Sequence, residues 1–213
     1  MQAFWDLNLH VTPDVLIPRA DSETVIEVAM AAFAGRGAPA RILDLGTGSG
    51  ALLLAALSVF SGAEGVGIDA SAAALAVASG NASRLGLDGR AYFERRDWTL
   101  DGWADGLGQF DLILCNPPYI EDATPLADMV ARHEPHSALF AGPDGLRDYR
   151  ILLKTLEKLL KTTGIAVFEI GFNQSKSVAK LGTEAGFTSE LTHDLSGNPR
   201  VLRFSLGITE PNR

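Results

Sequence analysis

The sequence has little cysteine, no long apolar run and no excess of positive charge. Its 213 residues include a single cysteine, Cys115, so no internal disulfide can form, which favours a reducing compartment. The richest apolar stretch, Ala51 to Leu57, is far shorter than the ~18–20 residues that a bilayer crossing requires. No basic segment followed by an apolar one opens the chain, so no signal peptide is visible. We expect a cytoplasmic protein.

Basic residues are outnumbered: Lys and Arg total 18 against 26 Asp and Glu, a formal net charge of −8. The imbalance lies in residues 1–150, which hold 10 basic and 20 acidic residues, a net charge of −10. That charge argues against tight, phosphate-driven binding of nucleic acid. Lys154, Lys158 and Lys161 recur at helical spacing, which predicts a solvated helix face, with a weak docking surface for an anionic partner as the alternative.

Short apolar runs alternate with longer helical patterns along the chain. The predicted strands are 41–45, 65–69, 90–94, 110–115 and 165–169, and the predicted helices are 22–34, 49–60, 71–85 and 145–160. This alternation predicts βαβ units and a mostly parallel sheet. Two further runs, 187–192 and 200–206, predict an antiparallel hairpin that closes the sheet. We therefore expect one domain at 21–207, preceded by an extended lead-in, 1–20, and followed by a tail, 208–213.

A glycine-rich loop, Asp44-Leu-Gly-Thr-Gly-Ser-Gly50, lies between a predicted strand and a predicted helix. Its glycines allow a sharp turn and a close approach of a ligand, while the helix N-terminus offers unpaired N–H groups. The spacing is G-x-G-x-G, not the G-x-G-x-x-G of dinucleotide sites. Asp69, at the end of the next strand, can accept both hydroxyls of a ribose. The two features predict a nucleoside site; a tight turn beside a surface aspartate is the alternative.

An acidic and an aromatic residue, Asp97 and Trp98, follow the third predicted strand. Asp97 can accept a hydrogen bond from the exocyclic amine of adenine, and Trp98 can stack on the adenine plane. A core tryptophan beside a capping aspartate is the alternative, and the pair taken alone favours it.

The tetrapeptide Asn116-Pro117-Pro118-Tyr119 directly follows the strand 110–115. The prolines end the strand and restrict the backbone. The side-chain oxygen of Asn116 and the carbonyl of Pro117 can then accept both hydrogens of one planar NH₂ group, with Tyr119 against its plane. A strand-ending turn is the alternative, but this loop shares the carboxyl edge of the sheet with the glycine loop, where α/β folds bind ligands. We expect a site for a carboxamide or an adenine-type amine.

Other kinds of site have weaker support. His133 and His136 lie three residues apart, but Pro135 interrupts the helix and no further ligands cluster nearby, so no metal is expected. Cys115 is expected to be a small buried hydrophobe in a central strand. No Ser/His/Asp arrangement for nucleophilic catalysis is recognisable.

These motifs together resemble the class I S-adenosylmethionine (SAM) methyltransferases that act on exocyclic or amide nitrogens. More specifically, the chain resembles the HemK/PrmC family, which methylates the glutamine of the Gly-Gly-Gln motif in peptide-chain release factors. The resemblance implies an α/β, Rossmann-like fold with a mostly parallel seven-stranded sheet, a C-terminal antiparallel hairpin and helices on both faces. Family members usually carry an N-terminal helical domain that helps to dock the release factor, and the resemblance begins where that domain would end. It also includes the segments 11–19, 143–146, 169–171 with Gln174, and 194–197 with Arg200.

The resemblance also implies the roles of individual residues. Asn116, Pro117 and Tyr119 would be catalytic, and no metal would be needed because the sulfonium of SAM is already a good leaving group. The substrate glutamine would be bound by Asn116, Pro117, Pro118, Tyr119 and Arg19. SAM, and its product S-adenosylhomocysteine, would be bound by Gly46, Thr47, Gly48, Ser49, Gly50, Asp69, Asp97, Trp98 and Asn116.

Three other functions remain open at this point. A glutamine methyltransferase of a ribosomal protein would need the same residues. A nucleic-acid methyltransferase could use the same tetrapeptide on adenine or guanine, but the net charge of −10 over residues 1–150 argues against it. An inactive SAM-binding module is disfavoured by the intact tetrapeptide 116–119.

Overall fold

A seven-stranded sheet forms the centre of the computed structural model, which describes residues 1–125 and 134–207. In chain order the elements are β1 (Gln2–Phe4), β2 (Leu7–Leu9), α1 (Glu23–Phe33), β3 (Arg41–Leu45), α2 (Ala51–Val59), β4 (Glu64–Asp69), α3 (Ala72–Arg84), β5 (Ala91–Arg95), β6 (Phe110–Cys115), α4 (Arg147–Leu159), β7 (Leu160–Glu169), α5 (Ser175–Glu184), β8 (Phe187–His193) and β9 (Pro199–Leu206). The strand order in the sheet is β5-β4-β3-β6-β7-β9-β8. Strands β3 to β7 pair in parallel, while β9 runs antiparallel to both β7 and β8. The predicted fold class is confirmed.

Both faces of the sheet are buried, because successive side chains of a strand point to opposite sides. On one face, Ile42 and Leu112 belong to a core that includes side chains of α1 and α2. On the other face, Leu43 and Ile113 belong to a core that includes side chains of α4. Burial on both faces explains why β3 and β6 are apolar nearly throughout rather than alternating with polar residues.

Within residues 21–207 the observed elements lie close to the predicted ones, with two differences. Helix α5 was not predicted; it is a ten-residue helix in which only Val178 and Gly182 are buried. Lys161 was expected on a helix face, but it lies in β7, where its Nζ is 2.9 Å from both carboxylate oxygens of Asp111. Only Lys154 and Lys158 of that predicted set are therefore on α4.

Residues 1–20 contain more structure than an extended lead-in. Strands β1 and β2 pair as an antiparallel hairpin, and Phe4 and Leu9 are buried in the same core as α1 and α2. Asn81 of α3 anchors the segment: its Oδ1 accepts the His10 N–H at 2.8 Å and its Nδ2 donates to the His10 carbonyl at 2.9 Å. The proposed domain boundary after residue 20 stays a prediction, and the proposed tail at 208–213 lies outside the described residues.

Candidate functional site

A cavity of about 180 Å³ lies where the parallel strands end. The loops that follow β3, β4, β5 and β6 meet there because carboxyl ends of parallel strands share one edge of a sheet. Other walls come from Val15 and Leu16 before α1, and from Pro135 and Ser137. A larger groove, between residues 98–108 and α4, contains only Trp98 of the predicted site. The cavity of about 180 Å³ is therefore the candidate site. It brings together seven predicted residues: Gly46, Gly48, Asp69, Asp97, Trp98, Asn116 and Pro118.

The glycine loop is held against strand β4. The N–H groups of Gly46 and Thr47 both donate to the carbonyl of Ile68 at 2.9 Å. Gly46 has a φ of +74°, a conformation that favours glycine, and a side-chain carbon at this position would lie 3.0 Å from the Trp98 ring. Glycine at position 46 therefore allows both the turn and the close packing of the indole.

Asp69 shapes this loop as well as lining the cavity. Its Oδ2 accepts the Gly48 N–H at 3.0 Å, and its Oδ1 accepts the Ser71 N–H at 2.9 Å. A carboxylate oxygen can accept more than one hydrogen bond, so both oxygens retain capacity for a ligand. The predicted ribose acceptor is thus also a support of the glycine loop.

Asp97 and Trp98 are both held by neighbouring polar groups. Asp97 Oδ1 accepts from the hydroxyl of Thr99 at 2.6 Å and from its N–H at 2.9 Å, and these bonds hold the pKa of Asp97 below its usual range. The indole Nε1 of Trp98 donates to Oδ1 of the buried Asp148 at 2.7 Å. Both side chains line the cavity in fixed positions.

Asp44, the first residue of the glycine loop motif, is buried below that loop. Its Oδ2 accepts the Thr47 hydroxyl at 2.6 Å, whereas its Oδ1 has no hydrogen-bond partner among the described residues. Burial raises the pKa of Asp44 to about 7. Asp44, Thr47 and Ser49 line a second, smaller cavity, which shares Gly46 and Asn116 with the first. Asp44 was not among the predicted site residues, although its place in the motif could have suggested a role.

The side-chain amide of Asn116 has one hydrogen-bond partner among the described residues. Its Nδ2 donates to the Ser22 hydroxyl oxygen at 3.3 Å, which leaves Oδ1 available at the cavity. Pro117 is buried directly after it. The hydroxyl of Tyr119 donates to Oε1 of Glu169 at 3.5 Å. Burial and the nearby negative charge of Glu169 raise the pKa of Tyr119 to about 12, so Tyr119 is a neutral phenol.

Glu169 and Arg200 lie behind the tetrapeptide 116–119. Within residues 1–125 and 134–207, Oε2 of the buried Glu169 has no hydrogen-bond partner, and burial raises the pKa of this residue to about 7. Nη1 of Arg200 is 4.0 Å from Oε1 of Glu169, while its Nη2 pairs with Asp194 at 3.0 Å and with Asp21 at 3.1 Å. Glu169 and Arg200 belong to the segments that carry the family resemblance, but neither had a predicted role.

Four predicted site residues, Gly50, Arg19, Pro117 and Tyr119, line neither cavity. Gly50, with a φ of +84°, begins α2, and a side-chain carbon there would lie 3.0 Å from Leu54. Arg19 is exposed, and its Nη2 pairs with Oε1 of the buried Glu134 at 2.5 Å. Tyr119 lies beside Glu169, as described above. Ser49 lines only the second cavity, and its backbone carbonyl accepts a hydrogen bond from Nδ2 of Asn81 at 2.9 Å.

Residues 1–125 and 134–207 contain neither a candidate membrane-spanning helix nor a candidate metal-binding cluster. None of the helices there combines the length and the apolar character that a bilayer crossing requires. Nor does that part of the chain contain three or more His, Cys, Asp or Glu side chains grouped to hold a metal ion. Of the two histidines considered above, His133 lies outside the described residues, and the ring of His136 packs against Phe140.

Among the described residues, every charged side chain that lines the two cavities is acidic: Asp14, Asp44, Asp69 and Asp97. Such a lining repels a phosphate group and attracts a cation. SAM carries a sulfonium and an ammonium group against one carboxylate, and its adenine base is flat and uncharged. The glycine backbone, the acidic lining and the unpartnered Oδ1 of Asp44 therefore fit SAM better than a dinucleotide.

Comparison with known proteins points to one family. A family model described as "Methyltransferase domain" matches residues 38–192. The release factor glutamine methyltransferase of Rhodospirillum rubrum is 45% identical over 204 residues, which cover 94% of this chain and 61% of that protein. Its counterpart in Caulobacter vibrioides is 43% identical over 215 residues, which cover 99% of this chain and 71% of that protein. The chain thus spans about two thirds of the length of these relatives.

Solved structures share the fold at lower sequence identity. A methyltransferase from Pyrococcus furiosus superposes with a TM-score of 0.68 at 18% identity, covering 97% of this chain and 92% of that one. The ribosomal protein L11 methylase from Lactobacillus delbrueckii superposes with a TM-score of 0.62 at 21% identity, covering 91% of this chain and 82% of that one. Both support the sheet topology described above.

Proposed function

Because this chain belongs to the release factor glutamine methyltransferase family, we propose that it transfers the methyl group of SAM to the side-chain amide of a glutamine in a peptide-chain release factor. One observation carries the proposal. The Nδ2 of Asn116 is bonded to Ser22, so an amide oxygen is available at a cavity whose charged lining is acidic. An oxygen in that place accepts from the NH₂ group of a carboxamide.

We propose that SAM is held by the loops at the carboxyl edge of the sheet. Asp69 would accept the ribose hydroxyls, and Asp97 and Trp98 would bind the adenine. The glycine loop, 46–50, would let the rest of the molecule lie close to the backbone. Bound SAM supplies a methyl group on a positively charged sulfur, which is a good leaving group.

The substrate amide is the more difficult partner, because its nitrogen lone pair is delocalised into the carbonyl. We propose that Asn116 Oδ1 and the Pro117 carbonyl accept the two amide hydrogens, which orients the nitrogen and raises its electron density during transfer. Tyr119 would lie against the amide plane, and Pro118 would keep the turn rigid. Such catalysis depends on positioning and on preorganised dipoles rather than on a strong base.

We propose that the protein substrate also meets the chain outside the cavity. Arg19 is exposed and pairs with Glu134, which directly precedes the cavity-lining Pro135. A guanidinium in this place would contact the backbone or an acidic side chain of the release factor. Nucleic acid is not proposed as a substrate, since the acidic lining repels phosphate. Release factors act in translation termination, so we propose a cytoplasmic site of action.

The proposal is tested with isotopically labelled SAM and a purified release factor. We expect label on the factor, and none when the glutamine of its Gly-Gly-Gln motif is changed to asparagine, which keeps the amide but shortens the side chain. Ribosomal proteins, tRNA and DNA are offered in parallel. Label on a ribosomal protein alone would show that the glutamine substrate belongs to a ribosomal protein and not to a release factor. Label on tRNA or DNA alone would overturn the proposal.

A further inference from the structure

The indole of Trp98 is a wall shared by two spaces. It lines the candidate site of about 180 Å³ and also the larger groove between residues 98–108 and α4. The outer edge of its six-membered ring packs on the glycine loop, where a side-chain carbon added at Gly46 would lie 3.0 Å from Cη2 and 3.4 Å from Cζ3. The orientation of this ring therefore shapes the part of the cavity assigned above to the adenine of SAM.

The five-membered ring of the same indole is held by a carboxylate of α4. Its Nε1 donates to Oδ1 of Asp148 at 2.7 Å, a contact across 50 residues of sequence. Asp148 is only 2% exposed, and its Oδ2 accepts from Nη2 of Arg147 at 3.0 Å. The same Nη2 donates to the Phe140 carbonyl at 3.0 Å. Each oxygen of Asp148 therefore has a partner, so the carboxylate cannot turn without breaking one of these bonds.

These contacts select one orientation of the indole from two. The torsion that joins a tryptophan ring to its Cβ has broad and roughly two-fold preferences, so half a turn of the ring is accessible in itself. In this protein it would take Nε1 away from Asp148 and leave Oδ1 of a buried carboxylate without its partner, which is costly. The indole N–H is a single donor. Because Asp148 accepts it, the ring offers the cavity its carbon surface, on which a flat base can pack.

We propose that Asp148 sets the affinity for SAM by holding Trp98 in the orientation that packs on adenine. The inference rests on the proposed function, because it takes Trp98 as part of the adenine site. Asp148 lines neither cavity, so it is a positioning residue that acts through the indole. It belongs to none of the predicted motifs, and only the fold brings α4 to Trp98. Stacking of a base on an aromatic side chain contributes about 10- to 100-fold to affinity, which is the scale of the effect at stake.

Calorimetry with S-adenosylhomocysteine measures the effect without any protein substrate. Asp148→Leu keeps the branched shape but removes both acceptor oxygens, and we expect the Kd to rise about tenfold. Asp148→Asn keeps one acceptor for Nε1, and the half-exposed Arg147 can turn to solvent, so we expect a rise of less than about threefold. Glu157→Leu is the matched control, since it exchanges an exposed acidic residue of α4 for leucine and should bind as the wild type does. Wild-type affinity in Asp148→Leu would overturn the proposal.

A double-mutant cycle separates this role from a general structural one. Trp98→Phe removes the N–H from the other side of the bond and should itself weaken binding. In that background Asp148→Leu should cause no further loss, since its effect passes through the indole. An equal fold-loss in both backgrounds would show that Asp148 acts on the cavity by another route, which contradicts the proposal.

The hydrogen bond itself is tested by nuclear magnetic resonance of the free wild-type protein. The sequence has three tryptophans, and the indole N–H signal of Trp98 is identified by its loss in Trp98→Phe. We expect this signal to exchange slowly with solvent in the wild type and in Asp148→Asn, and to shift when S-adenosylhomocysteine is added. Exchange in the wild type as fast as that of a free indole would overturn the proposal, whether or not Asp148→Leu folds.

Kinetics on the release factor connect the inference to turnover. In Asp148→Leu the KM for SAM should rise about tenfold, while kcat at saturating SAM and the KM for the factor change far less. A fall confined to kcat would contradict a role in cofactor binding. A wild type that shows the Trp98–Asp148 coupling but methylates no release factor would refute the proposed function and leave the role of Asp148 intact. Methylation by a wild type whose Asp148→Leu variant binds S-adenosylhomocysteine normally would do the reverse.

Discussion

The side chain of Gln174 reaches the main-chain oxygen of Tyr119, 55 residues earlier in the chain, with its Nε2 3.0 Å from that oxygen. The same Nε2 donates to the Gly145 carbonyl at 3.2 Å, and Oε1 accepts the Gly171 N–H at 3.1 Å. One buried amide therefore ties together three loops around the tetrapeptide 116–119. The position of Tyr119 depends on this junction as much as on the prolines that precede it.

Gly145→Ala should damage this junction. Gly145 has a φ of +66°, and a side-chain carbon there would lie 2.3 Å from the Tyr119 carbonyl oxygen, so the backbone must move. We expect a loss of about 2 kcal/mol or more in the free energy of unfolding, from backbone strain and overpacking together. Turnover should fall with it. Denaturant titration and methyl-transfer assays measure the two effects.

Gly86→Ala is the matched control for that change. Gly86 has nearly the same φ, +68°, but no atom of the described part of the chain lies within 4 Å of an added side-chain carbon. The free energy of unfolding of this variant should fall by only about 1 kcal/mol, the cost of the left-handed backbone conformation, and turnover should be unchanged. Equal losses in the two variants would show that the Tyr119 contact has no energetic weight.

Asp69→Ala should weaken SAM binding. The change removes the proposed ribose acceptor and also the partner of the Gly48 N–H, so both the contact and the loop geometry are lost. We expect an affinity loss of about 1–3 kcal/mol, measured by calorimetry. Asp88→Ala removes the same charge from an exposed position and should bind SAM as the wild type does. Unchanged affinity in the Asp69 variant would refute its assignment.

Asn116→Ala should abolish most methyl transfer while the protein stays folded. Losing one preorganised acceptor at a reacting centre typically costs about 10²–10³ in rate. The effect should lie in kcat, since the contact matters most as the amide nitrogen loses its planarity. Asn8→Ala, on the exposed face of β2, is the control for loss of an asparagine. Near-native turnover in the Asn116 variant would contradict the mechanism.

Asp44→Asn should stabilise the protein at alkaline pH. Burial raises the pKa of Asp44 from its ordinary 3.8 to about 7, so between those values the folded protein holds a proton that the unfolded chain has lost. Stability therefore falls as the pH rises through this window, and the cost is complete above it. At about pH 8 the asparagine variant should gain roughly 2–4 kcal/mol over the wild type, and near pH 4 almost nothing. Urea titrations at both pH values measure the gain; a less stable variant at pH 8 would contradict it.

Local chemistry is what could be predicted from the sequence. Strands β3 and β6 have their predicted bounds, because apolar runs of that length are buried wherever the sheet forms. The glycine loop, 46–50, and the tetrapeptide, 116–119, were visible because glycine and proline restrict or release the backbone within a few residues. Helix α5, a short helix with only two buried residues, was not predicted from the sequence.

The tertiary structure decided how those local pieces are supported. Ser22 meets Asn116 across 94 residues, and Asn81 meets His10 across 71, and no local pattern encodes either distance. The pKa values of Asp44 and Glu169 are raised chiefly by burial, which depends on every element packed around them. The sequence by itself determined which groups could do the chemistry, because that depends on residue type and neighbours. Only the folded chain determined their orientation and protonation, because those depend on contacts between distant residues.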